Sequence, residues 1–191
     1  YPIVSLGEGA EVIAEEMQIS REDQDSYSLE SHSRAIAAIN DGKFNDEIIP
    51  ISVPQRRGDA VVVDTDEHPR YEKIKGTYEL AIDAESLGKL RPAFKKGGTV
   101  TAGNSSGIND GAAALLLASR EKAEALGLKP LLRWIGSASA GTEPGHFAYG
   151  PVPATQKLLD RFDLKIEDIG LVELNEAFAC QAIGCMRQLG L

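Results

Sequence analysis

The chain has 191 residues, is 42% hydrophobic and carries a formal net charge of −9, with a sequence pI near 4.9. This length and apolar content are enough to bury a substantial core in one large domain or two small ones. The negative charge argues against a general binder of nucleic acid or of anionic membranes, because either partner would be repelled, and no apolar run approaches the ~20 residues of a membrane span.

Two helices are predicted at the start of the chain. Residues 8–18 carry their apolar side chains on one stripe, as an amphipathic helix does. A second helix is predicted to begin after Ser20, whose side chain can cap it while Asp23 follows three residues later, and to end at Gly42. The side chains of this helix that we expect to face inward are Tyr27, Ala35, Ile36 and Ile39.

Two runs of β-branched residues come next, at residues 47–53 and 60–64. Pro54 and the turn at residues 56–58 separate them, so they are predicted to form paired strands or one irregular hairpin. Residues 65–98 are then rich in charge, Gly and Pro without strong periodicity. A stretch of this length predicts a functional loop or an irregular excursion.

Small and apolar residues dominate from Thr99 onward. Residues 99–102 and 111–118 are predicted to be strands or helices that are buried on both faces. The elements predicted after them are a helix over residues 121–126 that ends at Gly127, a strand over 131–140, a helix over 151–162, a strand over 169–174 and a helix over 175–188. Strands that alternate with helices predict an α/β fold with parallel, helix-covered sheets.

The junction between the last predicted strand and helix, Glu173-Leu-Asn175-Glu-Ala-Phe178, is the most informative candidate site. Ligands bind at the strand ends of parallel sheets, and the Asn175 amide could hold a water or donate to a developing oxyanion. The alternative is that Asn175 caps the helix, which on physical grounds alone is the more common outcome. Glu176 could equally be a first-turn charge that complements the helix dipole.

A second candidate is the Gly/Asn/Ser segment at residues 99–111, which joins two apolar runs. Such a loop can bring backbone close to a ligand, or it can simply be a tight turn that needs left-handed residues. Phe94 could pack against the flexible arm of a ligand or anchor the loop. Five basic residues could meet phosphates or only solvate a loop: Arg56, Arg57, Arg70, Lys95 and Lys96.

The remaining reactive side chains predict no chemistry of their own. His32, His68 and His146 show no spacing that pairs any of them with a nucleophile, so none is assigned a catalytic role. Cys180 and Cys185 form neither a CxxC pair nor a His/Cys cluster, which excludes a recognisable metal site. Both are interpreted as small buried side chains.

Several motifs taken together resemble the thiolase family. In chain order they are Ile19-Ser-Arg-Glu-Asp-Gln-Asp25, Leu90-Arg-Pro-Ala-Phe94, Gly98-Thr-Val-Thr-Ala-Gly-Asn104, Ser106-Gly-Ile-Asn-Asp-Gly111, Gly150-Pro-Val-Pro-Ala154 and Asn175-Glu-Ala-Phe178. They follow the order of the family across nearly the whole chain. One motif could be a coincidence, but the ordered set is specific.

The resemblance implies a thiolase-like α/β fold with a loop domain at residues 1–98, the end of the amino-terminal half at 99–128 and the start of the carboxy-terminal half at 129–191. It implies acyl transfer between coenzyme A thioesters through a cysteine acyl-enzyme, as in β-oxidation and related fatty acid metabolism. Coenzyme A and acyl-CoA would be substrates, with no permanently bound cofactor. A homodimer or homotetramer is expected, in the bacterial cytoplasm or in an organelle reached through a targeting peptide outside this segment.

The resemblance also implies roles for individual residues. Asn175 matches the asparagine that holds a water in an oxyanion hole, and Ser106 matches a serine that contacts pantetheine. The other residues that match the coenzyme A site are Phe94, Ala177, Phe178, Leu6, Ser86 and Arg70. The interval between Arg70 and Ser86 is longer than the usual pattern. Ser5-Leu6-Gly7 stands where many members have His-Met-Gly, so the packing role of Leu6 is kept without the imidazole.

Three family motifs are missing from the 191 residues: a Cys-Ser-Ser-Gly-like nucleophile segment, a Gly-His-Pro motif and a later cysteine in a Gly-rich strand. The chemistry needs a cysteine that takes the acyl group and a histidine that activates it. We therefore expect this chain to be a central fragment that is inactive alone. The alternatives are a noncatalytic acyl-CoA-binding protein and one subunit of a split thiolase.

Overall fold

The computed structural model describes residues 4–191, so the first three residues of the predicted loop domain lie outside it. Helix α1 spans Leu6–Glu16 and helix α2 spans Arg21–Asn40. Each begins with a capping box, made by Ser5 with Glu8 and by Ser20 with Asp23, in which side chain and backbone satisfy each other. The Ser20 cap and the end of α2 before Gly42 confirm the sequence prediction.

A first antiparallel hairpin pairs strand β1 at Ile51–Val53 with strand β2 at Val61–Val63. Ser52 stands opposite Val62. The hairpin that the β-branched runs predict is confirmed, although each strand is shorter than predicted. Its side chains are exposed on both faces, so neither face packs on the core.

The charged stretch at residues 65–98 contains regular structure that the sequence did not predict. Strands β3 at Tyr71–Ile74 and β4 at Thr77–Leu80 form a second antiparallel hairpin. Lys75 and Gly76 both have positive φ at its turn, which matches the right-handed twist of the two strands. Helix α3 follows at Ala84–Gly88. Periodicity missed these elements because they are short and largely exposed.

Four further helical segments follow before the last helix: helix α4 at Arg120–Ala125, a 3₁₀ helix at Pro144–Tyr149, helix α5 at Pro151–Phe162 and a 3₁₀ helix at Ile166–Asp168. Helices α4 and α5 confirm the predictions at 121–126 and 151–162. The last helix, α6, spans Ala179–Leu189. The prediction that it starts at Asn175 is wrong, because residues 171–176 form neither helix nor strand.

Four predicted segments form neither a helix nor a strand ladder within the described residues, which corrects the sequence prediction: residues 99–102 and 111–118, predicted as strands or helices, and residues 131–140 and 169–174, predicted as strands. A strand needs a neighbour to pair its backbone N–H and C=O groups, and residues 4–191 supply none for these segments. Only the first of the four contains buried side chains, those of Val100 and Thr101. Leu116 is 85% exposed and Leu131 is 92% exposed, so apolar side chains of these segments face outward.

The core lies where α1, α6 and the 3₁₀ helix at Pro144–Tyr149 pack together. Its fully buried members have 0% exposure: Ala10, Ile13, Val100 and Cys180. Gly184 of α6 lets this helix approach closely, since a Cβ there would lie 3.1 Å from the sulfur of Met17. No helix within residues 4–191 is both long enough and apolar enough to cross a membrane.

Candidate functional site

The loop at residues 98–106 is held in place by a buried carboxylate. Glu11 of α1 is 4% exposed, and its oxygens accept hydrogen bonds from the backbone N–H of Thr99 at 2.9 Å and of Val100 at 2.9 Å. A Cβ at Gly98 would overlap with the Glu11 carboxylate, so only glycine fits there. The loop therefore begins at a fixed position against α1.

A second anchor joins the same loop to α2. The side-chain amide of Asn104, 2% exposed, donates to Asp25 at 2.9 Å and to the carbonyl of Thr99 at 3.1 Å, and its oxygen accepts from the N–H of Thr101 at 2.8 Å. Asp25 is paired in turn with Arg21 at 2.7 Å. These bonds satisfy the buried polar groups and rigidify the loop.

The loop then pairs with the segment that leads into α6. An antiparallel bridge joins Ser105 to Phe178, and the backbone N–H of Ser106 donates to the carbonyl of Ala177 at 3.0 Å. Three of the residues implied by the resemblance, Ser106, Ala177 and Phe178, are thus neighbours. Ser106 is separated from the other two by about 70 positions in the chain, and tertiary structure brings them together.

Asn175 is not the cap of a helix. Helix α6 begins at Ala179 with Phe178 at the N-cap position, so Asn175 precedes the helix, in a segment that is neither helix nor strand. The structure gives its side chain no hydrogen bond to any residue between 4 and 191. The helix-cap interpretation is therefore wrong, and the amide stays available to a water or a ligand.

An open cavity of about 410 Å³ lies beside Asn175. Its lining includes Asn175, Glu176, Ser105, Ser106, His32 and His68. The rings of His32 and His68 stand 5.6 Å apart, and burial together with the neighbouring His68 lowers the pKa of His32 below its usual value. At neutral pH the His32 ring is therefore an uncharged hydrogen-bonding group. No group of three His, Cys, Asp or Glu side chains in the described residues could hold a metal ion.

Phe94 and Phe178 form an apolar wall next to the loop. Their rings meet edge to face, with centroids 6.0 Å apart, and Phe94 is 41% exposed. Gly7 of α1 packs directly on the Phe94 ring. Leu6, next to it in the chain, is 63% exposed. This wall offers aromatic surface that an aliphatic or amide chain could lie against.

Arg70 and Ser86 are absent from the lining of the cavity. The Arg70 guanidinium donates to the carbonyl of Ala102 at 3.1 Å. Ser86 completes the capping box of α3, where its backbone N–H donates to Asp83 at 2.8 Å. The β3–β4 hairpin fills the long interval between these two residues.

Neither cysteine is suited to nucleophilic attack. Both residues have 0% exposure, and the Cys180 thiol donates to the carbonyl of Ala10 at 3.4 Å. Burial raises the pKa of Cys180 to about 12 and also raises the pKa of Cys185. Because the thiolate is the reactive form, these thiols are inert at neutral pH, in agreement with the interpretation from sequence.

Sequence reasoning missed the polar side chains that hold the site together. Glu11 and Asp25 look like ordinary solvated positions on amphipathic helices, and the two cavity histidines show no sequence spacing that links them. The available signal was the family motif at residues 19–25, which ends in Gln24 and Asp25.

Comparison with known proteins gives a consistent result. The family profile for the thiolase N-terminal domain matches residues 3–121, and that for the thiolase C-terminal domain matches residues 128–191. The chain is 51% identical over 190 residues to an acetyl-CoA acetyltransferase of Chromobacterium violaceum, with 100% of this chain and 46% of the relative covered. It is 44% identical over 191 residues to a beta-ketoadipyl-CoA thiolase of Acinetobacter baylyi, again with 100% of this chain and 45% of the relative covered.

Solved structures give the same picture. The acetyl-CoA acetyltransferase of Bacillus anthracis superposes with a TM-score of 0.91 at 45% identity, covering 98% of this chain and 45% of that one. The human mitochondrial 3-ketoacyl-CoA thiolase superposes with a TM-score of 0.84 at 40% identity, covering 96% and 43%. The chain therefore spans somewhat less than half the length of the relatives it matches.

Proposed function

The chain belongs to the thiolase family and has its α/β fold. We propose that it forms the coenzyme A channel of an acetyl-CoA acyltransferase and supplies one asparagine that stabilises the oxyanion. The observation that carries this proposal is Asn175, which precedes helix α6, has no side-chain hydrogen bond to residues 4–191, and lines the 410 Å³ cavity together with Ser106. An amide in this position is free to hold a water that donates to an oxyanion.

The reaction that we propose transfers an acyl group between coenzyme A thioesters in two steps. In thiolysis, a cysteine thiolate attacks the β-keto carbon of a β-ketoacyl-CoA, the Cα–Cβ bond breaks, acetyl-CoA leaves as an enolate that takes up a proton, and an acyl-enzyme forms. The thiol of free coenzyme A then attacks the acyl-enzyme, the C–S bond to the cysteine breaks, and the cysteine is regenerated. Asn175 would stabilise negative charge on an oxygen of the reacting thioester, and Ser106 and Phe94 would contact the pantetheine arm.

We propose that the nucleophilic cysteine and the activating histidine come from polypeptide outside these 191 residues. Cys180 and Cys185 are buried and have raised pKa values, so neither can supply the thiolate. The exposed apolar segments support the same proposal, since Leu116 and Leu131 need further strands to cover them. The loop domain at residues 1–98, the two partial halves that follow and a dimeric or tetrameric assembly belong to this proposal.

The substitution Asn175→Ala tests the assignment in a thiolase that contains these residues. We expect kcat/KM for thiolysis of acetoacetyl-CoA to fall by about 10²-fold, the order seen when one oxyanion-stabilising group is removed. Asn45→Ala is the matched control, because Asn45 is exposed and distant in sequence from the site. Equal activities of the two variants would contradict the role of Asn175.

Two measurements on the 191-residue chain separate catalysis from binding. One is an assay of acetoacetyl-CoA thiolysis, and the other is a calorimetric titration with coenzyme A. We expect this chain alone to show no thiolysis, because it has no accessible thiol. Thiolysis by the isolated chain would overturn the proposal that the nucleophile lies elsewhere. Tight coenzyme A binding without turnover in any longer or assembled form would favour a noncatalytic binding protein.

A further inference from the structure

The carboxylate of Glu176 is held at both of its oxygens by helix α2. The hydroxyl of Tyr27 donates to one oxygen at 2.7 Å, and the hydroxyl of Ser31 donates to the other at 2.6 Å. Tyr27 and Ser31 are four residues apart on a helix, so they present their hydroxyls on the same face. These two bonds, which we call the Glu176 bridge, tie α2 to the segment that leads into α6.

The donors of the Glu176 bridge stay protonated at neutral pH. Burial, followed by the Glu176 carboxylate itself, raises the pKa of Tyr27 above its ordinary value. Hydrogen bonds to an ionised group are about twice as strong as bonds between neutral groups. Tyr27, Ser31 and Glu176 also line two cavities, of about 410 Å³ and about 850 Å³, so the bridge forms part of the wall between them.

Asn175 depends on its neighbours for its position. The structure gives its side chain no hydrogen bond within residues 4–191, and residues 171–176 have no strand partner there. On one side, Ala177 is anchored because its carbonyl accepts from Ser106 at 3.0 Å and its N–H donates to Gln181 at 3.2 Å. Immediately before Ala177, the Glu176 bridge is the one side-chain anchor that the described residues give this segment.

We infer that Glu176 is a positioning residue: through Tyr27 and Ser31 of α2 it fixes the peptide that carries Asn175, so that the Asn175 amide faces the cavity beside Ser106. The catalytic consequence rests on the proposed function. Without the bridge, Asn175 would be restrained from the Ala177 side alone. A misplacement of ~1 Å at a reacting group can cost about 10²-fold in rate.

Three variants remove the bridge in different ways: Glu176→Gln, Tyr27→Phe, and the double variant Tyr27→Phe/Ser31→Ala. Tyr27→Phe keeps the ring and its packing, so it remains informative if Glu176→Gln fails to fold. Glu30→Gln is the control, since Glu30 lies on the same helix and pairs with exposed Arg34 at 2.6 Å. It removes one acidic charge without touching the bridge.

In the assembled thiolase we expect kcat to fall about tenfold in the double variant, which corresponds to ~1.4 kcal/mol of transition-state stabilisation, while KM for coenzyme A changes less than about twofold. Glu30→Gln should keep the wild-type kcat. Unchanged kcat in all three bridge variants would overturn the inference, and so would a rise in KM without a fall in kcat.

A second measurement does not depend on turnover. We expect the order parameter of the Asn175 side-chain amide, measured by ¹⁵N relaxation, to fall towards the flexible range below about 0.6 in the double variant but not in Glu30→Gln. An unchanged Asn175 order parameter would overturn the positioning role even if stability decreased. If wild-type protein shows no thiolysis while Asn175 loosens as expected, the proposed function fails and the positioning role stands.

Discussion

At the scale of single residues, the site depends on buried polar side chains whose partners are distant in the chain. Glu11 and Asn104 together accept or donate the bonds that fix residues 99–104, and both are almost fully buried. An unpaired buried polar group costs about 1–3 kcal/mol, so removing one partner affects more than the bond itself. Glu11 and Asn104 therefore contribute to the stability of the fold as well as to the position of the loop.

The substitution Glu11→Gln tests this anchor. The amide of glutamine can accept only through one oxygen and points an NH₂ group at the backbone N–H donors of Thr99 and Val100. We expect the free energy of unfolding to fall by about 2 kcal/mol, measured by urea denaturation. Glu15→Gln on the same helix is the control, since its ion pair with Lys95 is exposed and exposed pairs contribute little to stability. Similar losses in the two variants would show that Glu11 is no special anchor.

At the scale of secondary-structure elements, a glycine in helix α1 leaves room for the Phe94 ring of the aromatic wall. Gly7 lies in its first turn, where glycine offers no advantage to a helix. The Phe94 ring occupies the space that a Cβ would take, and Phe94 in turn contacts Phe178 at the start of α6. Glycine at this position therefore allows α1 to contact Phe94, although it is a poor helix former.

The substitution Gly7→Ala separates these two effects. Helix propensity alone favours alanine by up to about 1 kcal/mol, but overpacking against Phe94 costs ~1–3 kcal/mol. We expect a net loss of about 1 kcal/mol in the free energy of unfolding, together with a changed near-ultraviolet circular dichroism signal from the displaced ring. Gly88→Ala is the control, because a Cβ added to Gly88 at the end of α3 would meet no atom within 4 Å. A gain in stability for Gly7→Ala would contradict the packing argument.

At the scale of the whole molecule, the described residues leave strand-forming sequence without partners. Large apolar side chains in these segments are strongly exposed: Leu115, Leu116, Leu117, Leu131, Leu132, Trp134 and Leu171 are each at least 70% exposed. Contiguous apolar surface of this kind is rare on monomers, and unpaired strand edges invite association. The fold is the thiolase α/β fold, and the sheets within residues 4–191 are two two-stranded hairpins.

We therefore expect the 191-residue chain alone to bind 8-anilinonaphthalene-1-sulfonate and to self-associate at micromolar concentration. The double substitution Leu116→Lys/Leu131→Lys should reduce both effects, because it removes exposed apolar surface and adds like charges. Analytical ultracentrifugation measures the association. A monomeric chain that binds no dye would contradict the proposal that further strands cover these segments.

The sequence by itself determined the features that depend on neighbours in the chain. Ser20 with Asp23 marks the start of α2 because a capping box needs only four consecutive residues, and the valine-rich runs predicted the β1–β2 hairpin. The ordered motifs also identified the family, and the two cysteines were correctly interpreted as buried.

Only the tertiary structure decided which polar residues meet. Glu11 and Asp25 reach residues 99–104 across more than 70 positions of chain, and no local pattern records such a contact. Asn175 resembled a helix cap because a polar residue precedes an apolar periodic run, yet α6 begins at Ala179 once Phe178 pairs with Ser105. Long-range hydrogen bonds and ring packing outweigh local helix preference here, because they satisfy buried groups that a longer helix would leave unpaired.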